Sequence, residues 1–486
     1  MTFVNLLRMF LIFMFFLATY FTVGDALTGS YVQGTNWFGL STILYVLVLL
    51  LLSYVKVDRI QPLVTYFIFV SIFWCVFRLV VLNNSLESVS YRYLVDFDLA
   101  DMAWSVLMLT FSSGFLVCGL LLGSYKRPPR LRLNIPVISS AVNIKFLVGY
   151  FSILLFYAFF ESSISQLAGR SKLQGIISMA LSTDSIILLV TALLVYKRNL
   201  PRTLRNVLVL MIIFYVLMRV SVGSKSAIYI VFSGALTVLL AFNYRFKFKL
   251  KHLILAVCVA PFALIFFVAG TEIRAISYSL SYSGDFSYLQ LFSAFYDARH
   301  NIFSTLDVAQ WFNVFSKRLS MFDYLNVSFN GSTITDHLGL IYGLKTLWNV
   351  FTPSFLAFDD TILFQANLFK VAYGHGTYLD AVGNYHTDML PLFGSTYVIF
   401  GGLSLPLIGL FGYVSARLYI LIDCCNFKEK YFFKGLFIYF FGDLLFGMGL
   451  VATIQQIMFF TLIPLSTYFV VQNIRLSWKR PSMVSS

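Results

Sequence analysis

A series of long apolar segments with few charged residues constrains this chain more than any other feature of its sequence. A helix of ~20 apolar residues is long enough to cross the ~30 Å hydrocarbon core of a bilayer. The 486 residues are 59% hydrophobic and 12% charged, with a mean hydropathy of +0.83, whereas soluble domains carry about 25% charged residues. These values exclude a soluble enzyme, a coiled coil and a disordered scaffold, and they predict a multi-pass membrane protein.

The apolar segments are predicted to be helices, because a helix satisfies its own backbone polar groups within hydrocarbon and because the segments lack the alternation of barrel strands. The expected fold class is an all-α integral membrane protein with about twelve transmembrane helices and one large periplasmic loop. The predicted spans are 4–23, 37–55, 62–82, 103–124, 141–160, 180–196, 204–220, 226–242, 252–270, 391–421, 435–451 and 455–472.

The distribution of basic residues predicts the orientation of these spans. Lys and Arg cluster near residues 56–59, 126–132, 197–205, 245–251, 428–434 and 475–480. With twelve spans, all of these clusters lie on one side, which the positive-inside rule assigns to the cytoplasm. Both termini are therefore expected to be cytoplasmic. The net charge of +14 is attributed to contact with anionic lipid, and no nucleic-acid partner is expected.

One hydrophilic segment is much longer than the others and defines the expected domain organisation. Membrane helices 1–9 would occupy 1–270, a large periplasmic loop or cap 271–390, and membrane helices 10–12 with a cytoplasmic tail 391–486. The other loops are short, so any chemistry is predicted on the outer face. Aromatic residues in 286–316 recur at helical spacing. They favour either helices that pack against the rest of the periplasmic loop, or helices on the membrane surface that contact a lipid-linked substrate.

Several basic residues stand on the predicted outer side, where Lys and Arg are normally scarce. They are Arg170, Arg219, Lys225, Arg274 and Arg318. Arg219 and Lys225 bracket a short turn between two spans, which would fix them near a helix end. Arg and Lys at headgroup level are typical of diphosphate binding, although contact with phospholipid headgroups is an alternative for each of them.

If the chemistry on the outer face is glycosyl transfer, a proton acceptor is needed in addition to the basic residues, because the attacking sugar hydroxyl must lose its proton. His386 and Asp388 come immediately before the tenth predicted span, and Glu272 lies beside Arg274. These three are the preferred candidates. The other outward candidates are Asp323, His337 and His375, and a structural role remains an alternative for each residue.

Two other patterns are given different interpretations. Asp96 and Asp98 form an Asp-Phe-Asp sequence, but this motif alone supports a metal site weakly, so neither a metal nor another cofactor is expected. Glycines recur in the tenth predicted span at Gly394, Gly401, Gly402, Gly409 and Gly412. Small residues at such spacing predict close helix packing rather than chemistry.

Three further stretches carry a resemblance. They are Arg219–Ser226, which opens a span; Phe351–Ser354 with Gln365–Asn367 in the long outer loop; and Thr387–Asp388, which leads into Gly394 and Val398–Gly402. In them the chain resembles Wzy-type oligosaccharide repeat-unit polymerases of bacterial surface polysaccharides, the O-antigen polymerase family. The first stretch is similar to the family's Gly-[Ser/Thr]-[Arg/Lys] turn, with Lys225 where Arg is more usual.

The resemblance implies a metal-independent transferase with a GT-C-like fold in the bacterial inner membrane. Such an enzyme transfers an undecaprenyl-diphosphate-linked chain to an incoming lipid-linked repeat unit and releases undecaprenyl diphosphate. It implies that Arg219, Lys225 and Arg274 neutralise the diphosphate and that His386, Asp388 or Glu272 accepts the proton. Membrane lipid, chain-length regulator proteins and flippase proteins are the other expected partners.

Three alternatives stay open. A polysaccharide flippase or other transporter would place charges near the bilayer midplane and show paired halves. An O-antigen ligase would share the architecture, so the sequence barely separates it from a polymerase. A structural membrane subunit would carry out no chemistry.

Overall fold

The computed structural model describes residues 2–28, 35–55, 57–84, 99–125, 186–196, 200–221, 226–242, 321–330, 391–424 and 430–446, with a few single helical positions between 148 and 348. The elements of these ranges are helices, and no strand occurs among them. In chain order they are α1 (Phe3–Thr28), α2 (Thr35–Tyr54), α3 (Gln61–Ser71), a π-turn (Ile72–Val76), α4 (Phe77–Asn84), α5 (Leu99–Tyr125), α6 (Ile186–Tyr196), α7 (Arg202–Ser221), α8 (Ser226–Ala241), α9 (Phe322–Asn330), α10 (Leu392–Phe400), a 3-10 turn (Gly401–Leu403), α11 (Ser404–Cys424) and α12 (Lys430–Phe446).

Five helical stretches in the described ranges are long and apolar enough to cross a membrane. They are Phe3–Val23, Trp37–Tyr54, Gln61–Asn83, Leu99–Tyr125 and Leu392–Cys424. The protein is thus a helical membrane protein with several spans, and the prediction of an all-α fold is confirmed for the described ranges. The total of about twelve spans stays a prediction, because 252–270, 455–472 and most of 141–160 lie outside the described residues.

Hydrogen bonds at two ends of the bundle define the directions of the first helices. At one end, the Arg8 guanidinium of α1 donates to the backbone oxygen of Ser53 in α2. At the other end, Nδ2 of Asn83 in α4 donates to Ala18 O at 3.2 Å and to Thr22 Oγ1 at 3.0 Å. Therefore α1 runs antiparallel to α2 and parallel to α3–α4. These two ends are called the Arg8 end and the Asn83 end below.

Glycines allow α5 and α11 to pack with their backbones in contact. A Cβ atom added at Gly119 would overlap the carbonyl oxygen of Gly409, and one added at Gly412 would overlap that of Leu116. Small residues permit this approach between membrane helices. The packing role predicted for the glycines of the tenth span is confirmed for Gly409 and Gly412.

The apolar stretch Leu392–Cys424 contains a break that divides it into α10 and α11. Gly401 has φ 58° and ψ −132°, a conformation that residues with a Cβ rarely adopt. The 3-10 turn from Gly401 to Leu403 then leads into α11. The span predicted as one helix at 391–421 is therefore two helices.

Aromatic pairs and an ion pair join α12 to its neighbours. The rings of Phe411 in α11 and Phe441 in α12 stack at 6.1 Å, and Nζ of Lys434 lies 2.9 Å from Oδ1 of Asp423. These contacts make α12 antiparallel to α11. Tyr431 at the start of α12 stacks on Phe242 after the end of α8, and the start of α8 contacts Phe73 in the later half of the third span, so Lys434 lies toward the Arg8 end. On its other side, α12 packs against α8 and α6.

We predict that Gly119→Ala destabilises the protein, because the added methyl group would meet the backbone oxygen of Gly409. Overpacking of this kind costs about 1–3 kcal/mol, which a lower thermal unfolding midpoint in detergent would report. Gly114→Ala is the matched control in the same helix, since a Cβ atom there meets nothing within 4 Å. Equal midpoints for the two variants would contradict the α5–α11 interface.

Candidate functional site

Most residues predicted to bind the diphosphate or to act in catalysis lie outside the described residues. These are Arg170, Lys225, Glu272, Arg274, Arg318, His386 and Asp388. Arg219 lies in the last turn of α7, which ends at Ser221. The roles of all eight residues stay predictions.

A buried ion pair joins the third span to a helix of the long segment between α8 and α10. Nε of Arg78 in α4 donates to Oδ1 of Asp323 in α9 at 3.2 Å, and Nη2 donates to Oδ2 at 3.4 Å. The two side chains are 1% and 0% exposed. A planar guanidinium offers this two-point geometry to a carboxylate. Asp323, one of the other outward candidates for the proton acceptor, is buried and paired with Arg78.

The π-turn beside this ion pair provides a second contact with the same helix. A π-turn shifts the helical hydrogen-bond register and occurs often at functional sites. Here the carbonyl oxygen of Trp74 accepts a hydrogen bond from the backbone N–H of Met321 at 3.0 Å. Met321 immediately precedes α9, so its N–H belongs to the helix start that intrahelical bonds leave unsatisfied.

The other end of α9 is bound to α5. Nδ2 of Asn330 donates to the backbone oxygen of Asp101 and to Oγ of Ser105, both at 2.6 Å. On the neighbouring face, Gly394 of α10 packs directly against the side chain of Ser328. Helix α9 is thus held by α4, α5 and α10, with polar contacts at its first and last turns.

Trp74 also contacts the first turn of α8. Its Nε1–H donates to the hydroxyl oxygen of Tyr229 at 3.3 Å, with ring centroids 5.2 Å apart. The ring of Phe73 stacks on Tyr229 at 5.6 Å. One residue of the π-turn therefore contacts both the start of α9 and the start of α8.

These contacts bring together elements that directly follow predicted site residues in the sequence. Lys225 immediately precedes α8, Arg318 stands three residues before Met321, and Asp388 stands three residues before Pro391 at the start of α10. Helix α10 packs against α9, and Trp74 joins the start of α8 to the start of α9. Helix α9 itself lies toward the Asn83 end, since Phe322 packs against Phe38 near the start of α2. We conclude that the starts of α8, α9 and α10 share one end of the bundle.

Sequence reasoning missed two ionisable residues within predicted spans. Arg78 lies in the span predicted at 62–82, and Asp443 lies in the span predicted at 435–451. Asp443 is buried in α12, within electrostatic range of the hydroxyl groups of Tyr66 and Tyr229. An ionisable group at membrane depth is costly and is a functional candidate by default. That rule, applied to every span, would have identified both residues.

The fold and the site define a helical membrane protein in which a short helix from the longest segment between spans is held inside the bundle by a buried ion pair. Comparison with family models, with curated proteins and with solved structures finds no match to this chain. Across the described ranges, no group of three or more His, Cys, Asp or Glu side chains is placed to hold a metal ion.

We predict that Asp323→Asn destabilises the protein much more than the same change at Asp423. The first removes the charge of the carboxylate that pairs with the buried guanidinium of Arg78, a loss that costs about 3–5 kcal/mol. Asp423 is 41% exposed, although its partner Lys434 is only 5% exposed, so Asp423→Asn should cost less than Asp323→Asn, in which both partners are buried. Thermal unfolding in detergent compares the two variants, and a similar small loss for both would argue against a buried ion pair.

Proposed function

We propose that the protein is a Wzy-type glycosyltransferase. It would join undecaprenyl-diphosphate-linked oligosaccharide repeat units into a surface polysaccharide of O-antigen or capsule type at the periplasmic face of the inner membrane. The observation that carries this proposal is that α8, α9 and α10 begin at one end of the bundle, each preceded in the sequence by a predicted base or proton acceptor. Chain-length regulator and flippase proteins are the proposed partners.

The proposed architecture is a GT-C-like bundle of about twelve spans with both termini in the cytoplasm. Alternating directions of the described helices support it. Arg59, which is exposed in the turn before α3, and Lys434 lie toward the Arg8 end, in keeping with a cytoplasmic assignment of that end. The Asn83 end is then the periplasmic end, where the long segment meets the bundle through α9.

The proposed reaction transfers the growing chain to the incoming repeat unit. His386, Asp388 or Glu272 takes the proton of the acceptor hydroxyl, and the resulting oxygen attacks the anomeric carbon of the undecaprenyl-linked chain. The bond from that carbon to the diphosphate oxygen breaks, and its electron pair leaves with undecaprenyl diphosphate. Arg219, Lys225 and Arg274 would stabilise the developing charge.

Other residues and lipid-facing surfaces complete the proposed site. Arg318 and Arg170 would add contacts to the diphosphate, so the reaction as proposed needs no metal ion or other cofactor. Apolar side chains exposed on α1 and α7, such as Phe16 and Leu217, suit contact with membrane lipid and with a polyprenyl tail.

A transporter of lipid-linked glycan is the second candidate. Arg78, Asp323 and Asp443 lie buried within the bundle, and charges at this depth are typical of substrate or ion pathways. Polymer formation by the purified protein in detergent would favour the polymerase, because no compartments exist there across which to transport. A ligase would instead transfer finished polymer to a lipid A core acceptor.

We predict that Arg219→Ala lowers polymerisation of purified lipid-linked repeat units by about 10²–10³-fold, because one stabilising contact to the leaving diphosphate is lost. Arg202→Ala, exposed at the opposite end of the same helix, is the matched control and should retain activity. Arg274→Ala is expected to behave like Arg219→Ala. A ladder of normal length from either variant, with normal membrane insertion, would count against the diphosphate assignment.

We also predict the orientation of the chain. Alkaline phosphatase fused within 271–390 should be active, because this enzyme folds only outside the cytoplasm, and a fluorescent protein fused after Ser486 should fluoresce in the cytoplasm. The clusters of Lys and Arg on one side provide the physical reason. Inactive phosphatase fusions throughout 271–390 would reverse the assigned orientation.

A further inference from the structure

We propose that a water molecule is bound inside the bundle, at the place where α2, α3 and α5 meet. Its ligands are the hydroxyl groups of Tyr45, Ser71 and Ser113, one from each of these helices. The inference is independent of the proposed function, and all three residues lie in described helices.

The three hydroxyl groups converge in the interior of the bundle. Each of the three residues is 0% exposed. The hydroxyl group of Tyr45 interacts with those of Ser71 and Ser113, but none of the three makes a hydrogen bond of ordinary length within the described part of the chain. A hydroxyl group buried among apolar side chains without a hydrogen bond is strongly unfavourable. The site therefore requires a further hydrogen-bonding partner.

The two serine side chains depart from a pattern that other hydroxyl groups of this protein follow. Serine and threonine in helices can donate to a carbonyl oxygen of the preceding turn, and Thr22 and Thr110 do so within α1 and α5. Ser71 and Ser113 also have a preceding helical turn, yet they make no such bond. Their hydroxyl groups are directed instead toward Tyr45 of the neighbouring helix.

Water has the chemistry that this site accepts. A buried water molecule typically makes about three hydrogen bonds to polar groups that otherwise lack partners, and it can both donate and accept. The three hydroxyl groups are neutral, so they do not offset the charge of an ion. Helix α2 packs directly on α3 and α5, which favours the smallest molecule that can bridge the three oxygens.

A buried thiol lies beside the proposed water. Ser71 immediately precedes the π-turn, and Cys75 lies within that turn. Cys75 is fully buried and acts electrostatically on Tyr45. Hydroxyl radicals that X-rays generate from a bound water molecule attack the side chains around it, so Cys75 and Tyr45 can report the water directly.

The test is X-ray radiolytic labelling of the purified full-length protein in detergent, in water enriched in the heavy oxygen isotope, followed by mass spectrometry. Cys75 or Tyr45 should take up the isotope although both are buried. Met14 is the internal control, because it is buried in the apolar core and methionine oxidises readily; it should stay unlabelled. Unlabelled Cys75 and Tyr45 at doses that label the exposed Cys118 would overturn the inference, as would equal labelling of Met14.

A double variant connects the label to the hydroxyl groups. Ser71→Ala with Ser113→Ala removes two of the three ligands, so the label on Cys75 should be lost. Thr110→Val is the matched control in α5, because its hydroxyl group bonds within its own helix, and it should leave the label unchanged. Persistence of the label in the folded double variant would contradict the proposed site. Ser113→Ala alone should lower the label, and it provides the same test if the double variant does not fold.

Thermal unfolding in detergent gives a second readout. Ser71→Ala and Ser113→Ala should each lower the unfolding midpoint. Together they should lower it by less than the sum of the two shifts, because both residues bind the same water molecule. Fully additive shifts, or no shift in either single variant, would count against a shared water.

Discussion

Burial of the Arg78–Asp323 ion pair is the interaction on which the arrangement of the described helices around α9 depends. A buried charge without hydrogen-bonded partners would be strongly unfavourable within a helical membrane bundle, and these two side chains make two hydrogen bonds to each other. This pairing brings a nine-residue helix from the longest segment between spans into contact with α4, α5 and α10. Any function at the Asn83 end is therefore built around a helix whose location is set by electrostatics.

Contacts of the backbone also hold the described helices together. The Trp74 carbonyl in the π-turn accepts a hydrogen bond from the backbone N–H of Met321, which precedes α9. The glycines of α5 and α11 allow the two main chains to approach without intervening side chains. The hydrophobic effect contributes little to the association of helices within a bilayer, because the surrounding lipid tails are as apolar as the side chains. Close packing and hydrogen bonds between polar groups are therefore the interactions that define the structure of the bundle.

Within the described ranges the sequence predicted five spans correctly, because hydropathy depends on local composition. The span predicted at 37–55 is α2 (Thr35–Tyr54), and that at 103–124 is α5 (Leu99–Tyr125). The break at Gly401 and the π-turn were not predicted, since both depend on packing rather than on composition. The pairing of Arg78 with Asp323 was also missed, because its partners are remote in sequence and neither stands in a motif. Of the predicted site, only the place of Arg219 at a helix end is described.

The π-turn has a consequence for the register of the third span. Such a turn holds one more residue than the α-helix would at the same place, and each residue of an α-helix turns the chain by about 100°. If the same five residues from Ile72 to Val76 formed a regular α-helix, every later side chain of that span would be rotated about the helix axis. Arg78 would then face away from α9 although its identity had not changed. The direction in which Arg78 points therefore depends on the π-turn formed by these five residues.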